Sequence, residues 1–109
     1  MAYDLDLADR IRARIGEHPA LVEKEMFGGI AFMIGGNMAV GVVGEELMVR
    51  VGKDAHDEAV ARPGARTMAF TSRPMLGWIS VSPEGFRDDT SMGRWVDQGV
   101  AFAESLPPK

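Results

Sequence analysis

The feature that most narrows what this chain can become is a series of short apolar segments cut by glycine between Val22 and Val51. Lys24-Glu25-Met26-Phe27 leads into Gly28-Gly29, Ile30 to Ile34 into Gly35-Gly36-Asn37, and Met38 to Val43 into Gly44-Glu45-Glu46, before a last segment from Leu47 to Val51. Each segment has a strand's length, and each break holds residues that accept the positive φ of tight hairpins. The pattern predicts an antiparallel meander. Turns this short leave no room for crossover helices, so a parallel nucleotide-binding sheet is excluded.

Helices flank the meander. From Asp4 to Gly16, Leu7, Ile11 and Ile15 recur every fourth position, with Asp4 or Asp6 placed to cap the start and Gly16 to end it. Arg10, Arg12 and Arg14 do not share one face of this helix, and with Asp6 and Asp9 beside them they read as a solvated surface. A short helix is expected from Lys53 to Ala61, capped by Asp54 and stopped by Arg62-Pro63-Gly64-Ala65. Two strands follow, Arg66 to Phe70 and Gly77 to Ser82, joined by a connection over Thr71 to Leu76. After a turn at Pro83-Glu84-Gly85, a final helix opens at Asp89 or Thr90. It carries a wide apolar stripe of Met92, Trp95, Val96, Gly99, Val100, Phe102, Ala103 and Leu106. The expected architecture is α+β, a single domain over residues 1–109. An antiparallel sheet has helices packed on one side, in the order α, three or four strands, α, two strands, α. The opposite sheet face is then bare, and a chain of 109 residues gains core by association, which predicts a homodimer.

Composition removes several functions. The formal net charge of −4 argues against a nonspecific grip on phosphate backbones, so direct nucleic-acid binding is disfavoured. With no cysteine there is no disulfide, thiolate zinc site or cysteine nucleophile. The acidic start Asp4-Leu5-Asp6 is unlike a signal peptide and no apolar run would span a bilayer, which predicts a cytoplasmic protein without a membrane partner. His18 and His56, the two histidines, have no metal-binding spacing and are expected at the surface, so neither a metal nor another cofactor is predicted. No nucleophile elbow or phosphate loop is present, and no enzyme is expected.

Two segments and one residue remain as candidate contacts. In Lys24-Glu25-Met26-Phe27-Gly28-Gly29 the double glycine allows a β-bulge or a close approach by another chain. Arg73-Pro74-Met75-Leu76-Gly77-Trp78 sets a cation, a rigid proline and a large aromatic in one connection. Arg50 alternates with Leu47, Val49 and Val51, so with Met48 it points to the face opposite them. Met26, Phe27, Arg50, Arg73 and Trp78 are therefore the predicted contacts for a protein partner whose identity the sequence does not give. The alternative is a small anion held by Lys24, Arg50 and Arg73 with the Gly28 and Gly29 amides, in a ligand-binding domain or an uncharacterised enzyme.

Taken together, Lys24-x-Met26-Phe27-Gly28-Gly29-Ile30, the hairpin to Met38-Ala39-Val40, Leu47-Met48-Val49-Arg50-Val51 and Arg73-Pro74-Met75 resemble the N-terminal domain of the TfoX/Sxy family. The resemblance covers most of the chain, from about the first helix to the last. It implies an antiparallel α/β domain, often dimeric, associated with bacterial competence and with transcription regulators. No catalytic residues come with it. Full-length regulators of that family add a C-terminal helical domain, which the resemblance does not extend to here. Where family members often carry a basic residue after the Pro-Met step, this chain has Leu76.

Overall fold

The computed structural model describes residues 3–26, 28–70 and 73–108. Helix α1 (Leu5–Ile15) is followed by strands β1 (Leu21–Met26), β2 (Gly29–Ile34), β3 (Asn37–Val43) and β4 (Glu46–Arg50). Helix α2 (His56–Val60), strands β5 (Ala65–Phe70) and β6 (Arg73–Val81), a 3-10 turn at Pro83–Gly85 and helix α3 (Asp89–Ser105) complete the order. The strands form one six-stranded sheet, ordered β1-β2-β3-β4-β6-β5, in which every neighbouring pair is antiparallel. The expected α+β class and element order hold.

Pairing register decides which side chains meet the helices. Glu23, Phe32, Val40, Val49, Ile79 and Thr67 lie in one cross-strand row, and Glu25, Ile30, Val42, Leu47, Val81 and Ala65 in another. The seven central aliphatic residues of these rows and Phe32 are buried with Leu7, Ala8 and Ile11 of α1, Ala59 of α2, and Met92, Trp95 and Val96 of α3. All three helices thus cover the same sheet face. Burying that much apolar surface on one side is the main stabilising contribution of the fold. Gly99 lets α3 approach closely: a Cβ there would run into the Ala39 carbonyl oxygen and lie 2.7 Å from Val40 Cγ1.

Local chemistry sets the helix ends. Asp4 caps α1, its carboxylate accepting from the Asp6 and Leu7 amides, and Gly16 closes it at φ +67°. The cap of α3 is Asp88, one residue before the expected position, accepting from the Ser91 amide. That bond holds the Asp88 carboxyl below its ordinary range. Helix α2 is shorter than expected, starting after Ala55 with no side-chain cap, so Asp54 does not serve it.

Three further expectations are corrected. The double glycine after Met26 is no bulge, because register runs unbroken from Leu21↔Ile34 to Met26↔Gly29. Gly28 sits in the intervening turn at φ +73°, and a side chain at Gly29 would strike the Val42 carbonyl oxygen. The bulges fall instead at Phe32/Met33 and at Thr67/Ala69. Arg73 to Leu76 are not a connection but the first residues of β6, with Arg73 opposite Phe70. Strand β6 outruns β4, whose pairing stops at Arg50↔Trp78, so Pro74 faces one neighbour only and its missing N–H disrupts no second ladder. Finally, His56 is not a surface residue but is buried at 5% exposure.

Candidate functional site

The bare sheet face is built on one row that crosses all six strands: Lys24, Ala31, Gly41, Met48, Ser80 and Arg66. Cations stand at both edges, with small residues and a thioether between them. No helix lies over this row, yet Ala31 is fully buried and Met48 is 5% exposed. The cover is local. The ε-methyls of Met38 and Met48 converge over Gly41, reaching 2.8 and 2.9 Å from where its Cβ would stand. Met33 opposes Val22, which is 60% exposed, and Met38 lies on the next strand. Flexible methionine side chains over a floor of alanine and glycine make an adaptable apolar surface, the kind used where a face must repack against a partner.

Toward the β5 edge the same face becomes polar. Glu46 accepts from the Ser80 hydroxyl at 2.6 Å and from the Arg66 guanidinium. These bonds, that to Arg66 foremost, hold the Glu46 carboxyl below its ordinary range. Sequence reasoning missed this trio because its members lie on three strands and share no local pattern.

Arg50 and Trp78 are register partners at the end of β4. The Arg50 guanidinium stands 4.9 Å from the Trp78 ring centroid and 5.4 Å from that of Phe102 on α3, with no carboxylate partner among the described residues. Two aromatic rings thus flank the cation. Met26 is half-buried at the end of β1, and Phe27 lies outside the described residues. Arg73 begins β6, five residues and about 16 Å of strand from Trp78. Register brings Arg50 and Trp78 together and leaves Met26 and Arg73 at other ends of the sheet. The alternative anion set is also spread out, since the Lys24 row reaches β4 across three inter-strand steps, about 14 Å, and Arg50 lies two residues further on.

Both histidines have structural partners. His56 Nδ1 accepts from the Gly77 amide at 2.9 Å and its Nε2 meets the Thr67 hydroxyl at 2.9 Å, which assigns the proton to Nε2. It joins α2 to β5 and to Gly77, where φ is +88° and which adjoins the last residue of β6 paired with β4. His18 Nδ1 accepts from the Ala20 amide, so its Nε2–H donates to Glu104 at 2.8 Å. Around His18, a cleft of about 260 Å³ between α1 and α3 is lined by Arg14, Ile15, Val96, Asp97, Val100, Ala101 and Glu104. Its remaining charges are already matched, Arg14 binding Asp97 through Nε at 3.0 Å and Nη2 at 2.5 Å. Among the described residues no group of His, Asp and Glu is arranged to hold a metal ion.

The three arginines of α1 do more than solvate it. Arg10 reaches Asp89, Arg12 forks onto Glu23 while also pairing with Asp9, and Arg14 binds Asp97. The Arg12 and Arg14 bonds hold Glu23 and Asp97 below the ordinary carboxyl range. Asp9 was the expected neighbour for Arg12, whereas Arg10 bonds across to α3 at Asp89.

A single antiparallel sheet, walled by helices on one face and floored with methionine on the other, defines a class of small α+β platform domains. The family model of the TfoX N-terminal domain matches residues 14–103. The chain belongs to that family. Comparison with curated proteins and with solved structures finds no match.

Proposed function

We propose that this chain is a non-catalytic docking domain of the competence-regulator type, working in the bacterial cytoplasm as a homodimer that presents a surface to a regulatory protein partner. The observation that carries this reading is the outward sheet face, where the methyls of Met38 and Met48 converge over Gly41 while all three helices pack on the other side. Contacts are assigned to that face and to Arg50 and Trp78 at its end, with Met26, Phe27 and Arg73 as flanking contacts. Family membership supports a regulator-like role. No helix among the described residues is long and apolar enough to cross a membrane, which is compatible with that setting.

Trp78→Ala tests the assignment. Truncating a half-buried interface aromatic is expected to weaken self-association at least tenfold by sedimentation equilibrium, roughly 1.4 kcal/mol or more. Far-UV circular dichroism should remain that of the parent. Unchanged association with an intact fold would overturn the role given to this face.

A further inference from the structure

Of the arginines whose side chains are described, Arg10, Arg12, Arg14 and Arg66 each have a carboxylate partner. Arg62 has none, although it is one of the most enclosed. Its backbone is pinned in the turn after α2, with its N–H bonded to Ala59 O and its carbonyl accepting from the Ala65 amide. Its guanidinium lies 3.4 Å from the centroid of the buried Trp95 ring. The same fork donates from Nη1 to Gln98 Oε1 at 2.9 Å. With one planar face on the indole and one N–H engaged, the rest of the fork has no protein partner among the described residues. Since no buried side-chain nitrogen is left unpartnered there, those free N–H groups open to solvent.

The strongest charge acting on Arg62 is another cation. Arg94 stands four residues before Gln98 on the same face of α3, and it is exposed and without an ion pair among the described residues. Burial first, and then repulsion from Arg94, push the Arg62 guanidinium below its ordinary range; Glu58 offsets this only in part. Arg94 and Gln98 lie one turn apart on α3, so the Arg94 fork can reach the amide that already holds Arg62. The available groups are donors: the Arg62 fork, the Arg94 fork and the Gln98 side-chain NH2, whose oxygen is already taken. A site made of donors with two positive charges selects a ligand made of acceptors with negative charge.

We propose that Arg62, Arg94 and Gln98 form a binding site for a tetrahedral oxyanion, either free inorganic phosphate or the phosphoryl group of a small metabolite. It lies on the helix side of the molecule and is independent of the sheet-face reading. Arg62 is preorganised by Trp95 and Gln98, so little side-chain freedom is lost on binding. Arg94, on the exposed face of α3, completes the site on ligand entry.

The test is a titration of the ¹⁵N-labelled protein with inorganic phosphate at constant ionic strength, followed at the Arg62 Nε–H and Gln98 side-chain amide resonances. Sodium chloride and acetate serve as controls, and a sugar monophosphate distinguishes the free ion from a phosphoryl group. A saturable shift with phosphate, weakened about tenfold in Arg94→Gln, is expected. In the absence of phosphate Arg94→Gln should melt no lower than the parent, because it removes a repulsion, and it should gain less from added phosphate. Shifts that match those with chloride, or a phosphate affinity unchanged in Arg94→Gln, would overturn the site.

Discussion

The two faces of the sheet come from the same strands and the same alternation, yet they are finished differently. On the inner face Phe32, Val40, Val49 and Ile79 stand in one row at 0% exposure beneath three helices. On the outer face, the neighbouring row is filled by Ala31, Gly41 and Met48, and over Gly41 the cover is the ε-methyls of Met38 and Met48. Branched and aromatic side chains locked against helices specify one packing, whereas thioethers lying on a glycine floor specify a surface that can be rearranged. One face builds the fold, and the other is the one we propose for a partner.

The comparison breaks most readily at two adjacent residues. Phe32→Ala opens a cavity under α1 and α3 and is expected to cost about 3–5 kcal/mol in chemical denaturation, whereas Met33→Ala, one residue on and outward, should cost about 1 kcal/mol or less in the monomer. Equal costs would mean that the outer face is as tightly packed as the inner. A smaller effect, diagnostic by its sign, is expected at Gly99. In an exposed helix Gly→Ala stabilises by about 0.8–1 kcal/mol, but here the added methyl meets the Ala39 carbonyl oxygen, and Gly99→Ala should destabilise by about 1–3 kcal/mol. A gain in stability would show that α3 stands off the sheet.

Acid separates the two faces more gently. Glu23 and Asp97 tie down α1, Glu46 lies on the outer face, and the carboxyl of each is lowered by its arginine. A folded pKa below the unfolded one gives stability that is present above the unfolded value and is lost as pH falls through the folded one. Stability should therefore be level from about pH 7 to 5 and fall below about pH 4 in urea titrations followed by circular dichroism. Arg66→Ala should remove only the outer share. Because both partners are substantially exposed, that share is about 0.2–1 kcal/mol at neutral pH, a difference that should vanish in acid. An acid transition unchanged in a double Arg12→Ala, Arg14→Ala variant would contradict the inner share.

What the sequence disclosed followed from how local the determinants were. Asp4, Gly16 and the four-residue spacing of Leu7, Ile11 and Ile15 act within α1, and its limits were legible. The three hairpins of the meander were equally plain, since each of their turns carries its own glycine. His56 was not, because its burial depends on Thr67 and Gly77, residues 11 and 21 positions away. The start of β6 was hidden for a similar reason. Pro74 reads as a break unless one knows that β4 has already ended and that only β5 flanks it there. At the candidate site, alternation predicted that Arg50 points away from Val49 and Val51, but nothing local said that its guanidinium would stand 4.9 Å from the Trp78 ring and 5.4 Å from that of Phe102 on α3. The Glu46, Ser80 and Arg66 trio, like the meeting of Arg62 with Trp95 and Gln98, exists only through tertiary contacts.

The most direct test of the docking face reads the methionines themselves. With ¹³C-labelled methionine ε-methyls, serial dilution from millimolar to low micromolar protein should shift the Met33, Met38 and Met48 resonances together, along one association curve, while Met92, buried on the inner side of α3, stays fixed. Methyl positions independent of concentration for all four, with relaxation times of an 11.8 kDa particle throughout, would contradict a self-associating outer face.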